Sequence, residues 1–300
     1  MLVLAVLASG CNFVYGLDPT DLRDQSDADG DGVYDAVDNC VETPNAPPPG
    51  QTEQLDNDHD TVGDACDNCP LISNIDQRDV GDSDGIGDLC DPHPTTGNDC
   101  LLVLDTFGDP ARLLEHWQVI SLVGDVTGVV PEVGRVRLRP RPSDSLALAA
   151  RGPDGVLLSD DFDLLVRGKL VPAATGSIFH VVTDAAVPSF GYACGLRFSD
   201  GPNVEGVVSA MGGTGTTNLM ALAPPVDDEL VIRLYTEKPD LPSPKFCRVE
   251  YGVSVGALSL GGQQPKGWSG VRAAGAEVEI TGIAIMKHVA TGSCPPTLRW

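Results

Sequence analysis

The stretch DADGDGVYDAVDNC, residues 27–40, returns as DNDHDTVGDACDNC at 56–69 and, shortened, as DSDGIGDLCD at 82–91. Aspartates on alternate residues, a glycine at the bend and a further aspartate three or four residues on make an oxygen cage for a hard divalent cation. Alternate side chains curl onto one centre, and glycine tolerates the bend. In the first copy Asp27, Asp29, Asp31, Gly32, Asp35 and Asp38 take positions 1, 3, 5, 6, 9 and 12 of an EF-hand-type loop, and the Val33 carbonyl falls at position 7. Asp38 stands where a bidentate glutamate is usual. The expected ion is therefore calcium held at extracellular-grade affinity, with dissociation constants on the order of 10⁻⁴–10⁻³ M. No amphipathic helices flank the loops, which argues against a sensor that opens a groove.

The second copy repeats the set with Asp56, Asp58, Asp60, Asp64, Asp67 and the Val62 carbonyl, but has Thr61 at the glycine position. The third keeps Asp82, Asp84, Gly85, Asp88 and Asp91 in register, with Ile86 at the carbonyl position. Its position 1 falls on Val80, and Asp79 lies one residue early. Two readings stay open: a one-residue insertion bulges the loop and returns Asp79 to the ion, or the third site is the weakest. A disordered acidic tail would not place aspartates, glycines and cysteines in one shared phase.

The pattern DxDxDGxxDxxDNC and the spacing of NxxQ and GDxCD resemble the thrombospondin type 3 repeats. Cys40 to Asn45 and Cys69 to Asn74 are each five residues, Asn74-Ile75-Asp76-Gln77 supplies NxxQ, and GDAC (63–66) and GDLC (87–90) supply the rest. The resemblance covers residues 27–91. It departs at Val41, where proline is usual, and in the insertion PPPGQTE between Asn45 and Gln54. It implies a stack with little apolar core, in which calcium and disulfides take the core's place. It also implies the pairs Cys40 with Cys66 and Cys69 with Cys90, each worth about 3 kcal/mol in the loop-entropy model. Cys66-Asp67-Asn68-Cys69 also has the spacing of a redox CxxC or half a zinc site, but both favour a reducing compartment.

Charge follows the same boundary. Residues 18–99 carry 22 acids and 2 bases, whereas residues 100–300 carry 21 acids and 17 bases, so −20 of the chain's −24 lies in the repeat region. No basic patch faces a phosphate backbone, and nucleic acid is excluded as the expected partner.

MLVLAVLASGC, residues 1–11, resembles the end of a bacterial lipoprotein signal with its lipobox, and Cys11 would be the lipidated residue. The apolar run from Leu2 to Ala8 is too short to cross a bilayer, which needs ~20 residues. It lacks a basic leader and has Ala8 at the place where leucine is usual, with Leu7 one earlier. Nine cysteines are odd, and assigning Cys11 to lipid leaves eight, enough for four disulfides. The expectation is an exported protein of the bacterial cell envelope, at the outer membrane or cell surface, held to the membrane by lipid.

From Cys100 onward, short runs rich in Val, Leu, Ile and Phe alternate with Gly/Pro/Asp turns: SLALAA (145–150), FDLLVRGKL (162–170), SIFHVV (177–182), YACGLRF (192–198), VEGVVSAM (204–211), ELVIRLY (229–235), FCRVEYGV (246–253) and EVEITGIAIMKH (277–288). That spacing predicts an antiparallel β-sandwich. DPARLLEHW (109–117) reads as a short helix with Asp109 as N-cap and Pro110 at N1. The fold class is thus mostly β: a calcium-stabilised, disulfide-linked irregular repeat region followed by a jelly-roll sandwich. The expected division is 1–11 signal, 12–26 linker, 27–91 repeats, 92–99 linker and 100–300 sandwich. Cys100 and Cys294 bracket the sandwich and would join its ends; Cys194 and Cys247 would then link two strands. Eight cysteines allow 105 connectivities, so other pairings stay open.

FGDPARLLEHWQVI (107–120), DFDLLVRGKL (161–170) and EITGIAIMKH (279–288) resemble concanavalin-A-like jelly rolls of the laminin-G and lectin/glucanase type. The resemblance rests on strand pattern and implies a sheet that binds glycan or protein. The glucanase ExDxxE strand, which puts paired carboxylates on one face, has no match; Glu277 and Glu279 form only ExE and read as a solvated strand face. His180 and His288 read as surface or satisfied-core histidines. GGTGTT (212–217) reads as a turn, and Trp268, in QQPKGWSG, as loop-borne; Trp117 and Trp300 read as core or rim. The leading function is a non-enzymatic, envelope-anchored binding or adhesion protein with a glycan or surface protein as ligand. The alternatives are a structural envelope or matrix component and a hydrolase with an unrecognised site.

Overall fold

A computed structural model describes residues 26–152 without a break and, beyond them, 154, 158, 162–170, 177–186, 190–198, 204–211, 217–222, 229–236, 245–251, 254–260, 268–289, 293–295 and 297–299. Cys11 with the rest of 1–25, residues 212–216 of GGTGTT, and Trp300 lie outside the described residues.

Sixteen strands, numbered in chain order, form two sheets among the described residues. The nine-stranded sheet holds β1 (Asp99–Asp105), β3 (Val129–Glu132), β4 (Arg135–Leu138), β6 (Asp163–Leu170), β11 (Glu229–Thr236), β12 (Lys245–Tyr251), β13 (Ser254–Leu260), β15 (Val278–His288) and β16 (Leu298–Arg299). Its order is β13-β12-β11-β6-β15-β1-β16, with the β3–β4 hairpin joined along β15. The seven-stranded sheet holds β2 (Trp117–Val123), β5 (Ser145–Ala150), β7 (Ile178–Ala186), β8 (Phe190–Phe198), β9 (Val204–Met211), β10 (Thr217–Leu222) and β14 (Trp268–Ala274), in the order β10-β9-β8-β7-β14-β5-β2. All pairings are antiparallel except the short one between β1 and β16.

Alternation along the strands decides what faces inward. Phe179 and Val181 of β7, Leu148 of β5, Leu164 of β6, Ile232 of β11 and Ile283 of β15 meet between the sheets, fully or almost fully buried. Burying such a side chain contributes about 1.5–3 kcal/mol. Cys194 and Cys247 cross this core and tie β8 to β12, and Cys100 to Cys294 ties β1 to the segment before β16.

The expected helix is shorter than its pattern. Asp109 caps it, accepting from Ala111 N at 3.0 Å, but a 3₁₀ turn (Pro110–Arg112) and a single α-turn, α1 (Leu113–His116), are all that form. The chain then enters β2 at Trp117, whose ring is drawn into the core. Trp268 corrects the sequence reading in the same way: it opens β14 and is packed with Ala147, Ala149, Val182 and Ala193 on the outer side of the seven-stranded sheet. The small, glycine-rich residues beside it concealed the strand.

Residues 26–98 form no strand or helix. They do not stand off as a spacer. Cys69, Leu71, Ile86 and Cys90 share a second apolar cluster with Leu104, Leu165, Val231, Ala284 and Met286 on the outer side of the nine-stranded sheet. The centre of that sheet is therefore covered on both faces. Arg167 Nη1 donates to the Leu71 carbonyl (3.1 Å), Arg233 Nη1 to that of Leu89 (2.7 Å), and Asn57 Nδ2 to that of Thr281 (2.5 Å). A stack with too little apolar surface to fold alone thus borrows a core from its neighbour.

Candidate metal centres

Each acidic loop closes on its first aspartate. Asp27 accepts from the amides of Gly30 (2.8 Å) and Gly32 (3.1 Å), and Asp56 from those of His59 (2.8 Å) and Thr61 (3.0 Å). In the third loop Asp79 makes the same pair of bonds, to Ser83 (3.0 Å) and Gly85 (2.8 Å), across one extra residue. The bulge reading is the one realised, and Val80, 67% exposed, is not position 1. Backbone conformation repeats as well: Gly32, Thr61 and Gly85 have φ of 95°, 82° and 98°. Thr61 holds there a geometry that suits glycine.

Carboxylate oxygens of Asp27, Asp29 and Asp31, of Asp56, Asp58 and Asp60, and of Asp79, Asp82 and Asp84 gather in three groups, each within 4.8 Å. The amides of Val33, Val62 and Ile86 donate to Asp31 (2.8 Å), Asp60 (2.8 Å) and Asp84 (3.1 Å), fixing the peptide at position 7 of each loop. Asp35, Asp64 and Asp88 lie outside these inner groups. Each turns one oxygen onto the start of its own loop, at Ala28 N (2.8 Å), Asn57 N (2.8 Å), and Val80 N and Gly81 N (3.1 and 3.2 Å).

Whether such cages suit a cation can be tested on their unused atoms. One oxygen each of Asp29, Asp38, Asp58 and Asp91 is buried with no hydrogen-bond donor, while its twin accepts a backbone amide. An oxygen left so is costly unless a cation meets it. Burial, followed by the charges of Asp60 and Asp67, pushes Asp58 up to about 7, and burial pushes Asp64 up to about 6. An oxygen-only donor set with mutually repelling carboxylates fits a hard cation, and of these calcium tolerates the flexible geometry.

The loops are locked in series. Asp38 accepts from Cys40 N and Gln54 Nε2 (both 2.8 Å), and Asp67 from Cys69 N and Gln77 Nε2 (both 2.7 Å). Gln54 thus does what Gln77 does despite the PPPGQTE insertion. The disulfides Cys40–Cys66 and Cys69–Cys90, the pairs the repeat resemblance implies, join successive loops. They require Gly63 and Gly87: a Cβ there would lie 2.7 Å from the sulfur of Cys40 or Cys69 and closer still to Asn39 or Asn68.

Residues 24–47 and 54–77 match the thrombospondin type 3 repeat. No curated protein sequence matches the chain. Among solved structures, the chain is similar to a legume lectin-like domain from Entamoeba histolytica (10% identity, 61% of this chain and 94% of that one, TM-score 0.45). It is also similar to the metal-free carbohydrate recognition domain of Emp46p (12%, 59% and 90%, 0.43) and to the GH43 protein BlXynB from Bacillus licheniformis (13%, 62% and 39%, 0.43).

After the matched thrombospondin type 3 repeats, the third loop ends differently. The slot of Cys40 and Cys69 is filled by His93, whose amide donates to Asp91 at 2.6 Å. The slot of Asn45 and Asn74, whose amides donate to Asp31 (2.9 Å) and Asp60 (2.7 Å), is filled by Asp99, whose amide donates to Asp84 at 2.7 Å. Asp99 opens β1, so the third loop is knitted to the sandwich. Its carboxylate meets His93 Nδ1 at 2.6 Å and His288 Nδ1 at 3.0 Å. His93 and Asp99 escaped the sequence reading: His93 falls two residues after Asp91, in the phase of Cys40 and Cys69, but Asp99 lies 15 residues after Asp84 where the two asparagines lie 14 after their aspartates, so phase alone points to Asn98. His288 is not the isolated histidine its apolar strand suggests.

Glu279 is held by Arg135 Nη1 (2.8 Å) and Arg137 Nε (3.0 Å), and Glu277 by Arg139 (2.7 Å), so this face is an ion-paired seam between β15 and β4 rather than merely solvated. Burial raises the Glu279 carboxyl, but Arg135 and Arg137 hold it below the usual range, unlike a general acid. His180 is buried with both ring nitrogens unbonded, so it is not a satisfied core histidine.

Proposed function

We propose that the chain is a calcium-binding, non-enzymatic protein of the bacterial cell envelope, anchored through lipid on Cys11 and presenting its β-sandwich to a glycan or surface protein. The observation that carries the calcium reading is the set of donor-free carboxylate oxygens turned into serial cages. Asp27, Asp29, Asp31, Asp56, Asp58, Asp60, Asp79, Asp82 and Asp84 would supply the inner ligands, and Asp38, Asp67 and Asp91 the far side. Four disulfides support export to an oxidising compartment. They consume eight of nine cysteines and leave Cys11 for acylation.

Because the repeats cover the outer side of the nine-stranded sheet, the ligand would be met by the seven-stranded sheet or by the loops around it. A glycan array probed with the full-length protein, with and without calcium, tests this. Selective binding supports the reading. A silent array, together with self-association in solution, would replace it with a structural role.

A further inference from the structure

We propose that His93, Asp99 and His288 form a binding site for a zinc-type divalent transition metal at the joint between the repeats and the sandwich. One ring nitrogen of each histidine and a carboxylate oxygen of Asp99 lie within 4.8 Å of one another, both Nδ1 atoms face that carboxylate, and His93 and Asp99 are 5% and 1% exposed. Two nitrogens and one carboxylate make a donor set for zinc or its neighbours, whereas the all-oxygen cages suit calcium.

The orientation of His93 supports this assignment. Its Nε2 points at the Thr236 carbonyl, an acceptor only, so that nitrogen carries a proton. Nδ1 then faces Asp99 either as a second N–H or as a lone pair shared with a cation. The second arrangement, with the distal nitrogen donating to a backbone carbonyl, is the usual outer-shell support of a metal-bound histidine. Metal binding displaces the Nδ1 proton to solvent and leaves every other hydrogen bond of the ring in place.

Charge and topology agree. Asp99 lies within the same 4.8 Å reach of Asp84 and Asp91, so five carboxylates, Asp79, Asp82, Asp84, Asp91 and Asp99, gather at this end of the stack. One divalent ion in the third cage compensates two of those charges, and a second brings the joint close to neutrality. Where Cys40 and Cys69 continue the stack through sulfur, His93 occupies the same slot with no further repeat to bond. A metal shared by His93, Asp99 of β1 and His288 of β15 would be the corresponding cross-link into the sandwich.

The test uses the tag-free, disulfide-bonded full chain saturated with calcium, so that the aspartate cages are occupied. Cobalt(II) is titrated by visible absorption, and zinc by calorimetry. We expect one equivalent of cobalt with the intense absorption of low-coordinate nitrogen ligation, displaced by zinc, and at least tenfold weaker zinc binding in His93→Gln and His288→Gln. A cobalt spectrum like that of the aqueous ion would overturn the proposal and leave an ion-paired triad. So would affinity unchanged in both variants. The wild-type spectrum decides even where a variant fails to fold.

Discussion

Leu71 of the second repeat occupies the space that a side chain at Gly282 would need: a Cβ built on Gly282 would lie 2.1 Å from Leu71 Cδ2. Gly282 sits where the register of β15 shifts against β6, so the bulge and the missing side chain together make a socket for the repeat. Leu71→Ala should destabilise the protein by about 2–5 kcal/mol, and Gly282→Ala should also destabilise it by forcing Leu71 out. The double variant should cost less than the sum, because truncating the leucine leaves room for the methyl group added to the glycine. Denaturant midpoints of the four proteins give the coupling, and strict additivity would contradict the socket.

Chelation should loosen the repeats in a graded way while the sandwich stays folded. The second and third repeats share an apolar cluster with the nine-stranded sheet, so the first loop, 27–40, should lose amide protection furthest. Hydrogen exchange with and without a chelator checks this; equal protection of the loop in both states would contradict calcium binding there.

Asp79→Ala should empty the third cage, whereas Val80→Ala should leave it intact, because Asp79 closes the loop onto Ser83 and Gly85. Calcium titration of the two full-length variants separates them. Calcium binding at the third site left unchanged by Asp79→Ala would overturn the bulged register.

Thr61→Gly should stabilise the second loop by about 1 kcal/mol, since a β-branched residue at φ 82° carries strain that glycine does not. Part of the gain is offset by the freedom glycine has in the unfolded chain. A lower midpoint in denaturant at saturating calcium would refute the strain.

His180 supplies the pH prediction. Burial, then the charges of Arg272 and Arg197, lowers its pKa to about 3. A histidine kept neutral in the fold but free to protonate near pH 6.5 when unfolded leaves stability intact above that pH. It removes stability as the pH falls, by about 2 kcal/mol at pH 5. His180→Leu should abolish this dependence, so the stability difference between variant and wild type should shift in the variant's favour by that amount between pH 7 and pH 5. A pH-independent difference would mean that the ring finds a partner for its charge.

The phase of the aspartates and glycines places the loops, because each loop is closed by neighbours within about a dozen residues, whereas the disulfide pairs came from the resemblance to the repeat family. Strands such as β7, β9 and β11 were equally legible from alternation. What escaped was non-local. Leu71, in the short run Cys-Pro-Leu-Ile, carries no sign that its socket lies in β15, and Trp268 has a strand partner in Ala185 that its glycine-rich flanks do not advertise. Asp99 looked like the end of a linker because its role comes from being opposite two histidines, one of them near the far end of the chain.

The order of the disulfides has a mechanical consequence. A pull on the chain ahead of Cys40 passes through sulfur to Cys66, runs along Asp67 and Asn68 to Cys69, and crosses through sulfur again to Cys90. Residues 41–65 and 70–89, with the aspartates at 56–64 and 79–88, lie outside that line of tension. From Cys90 the force reaches β1 through the ten residues that end at Cys100, where His93 and Asp99 are buried. Under load the later loops can keep their shape while the first loop and this short joint bear the strain.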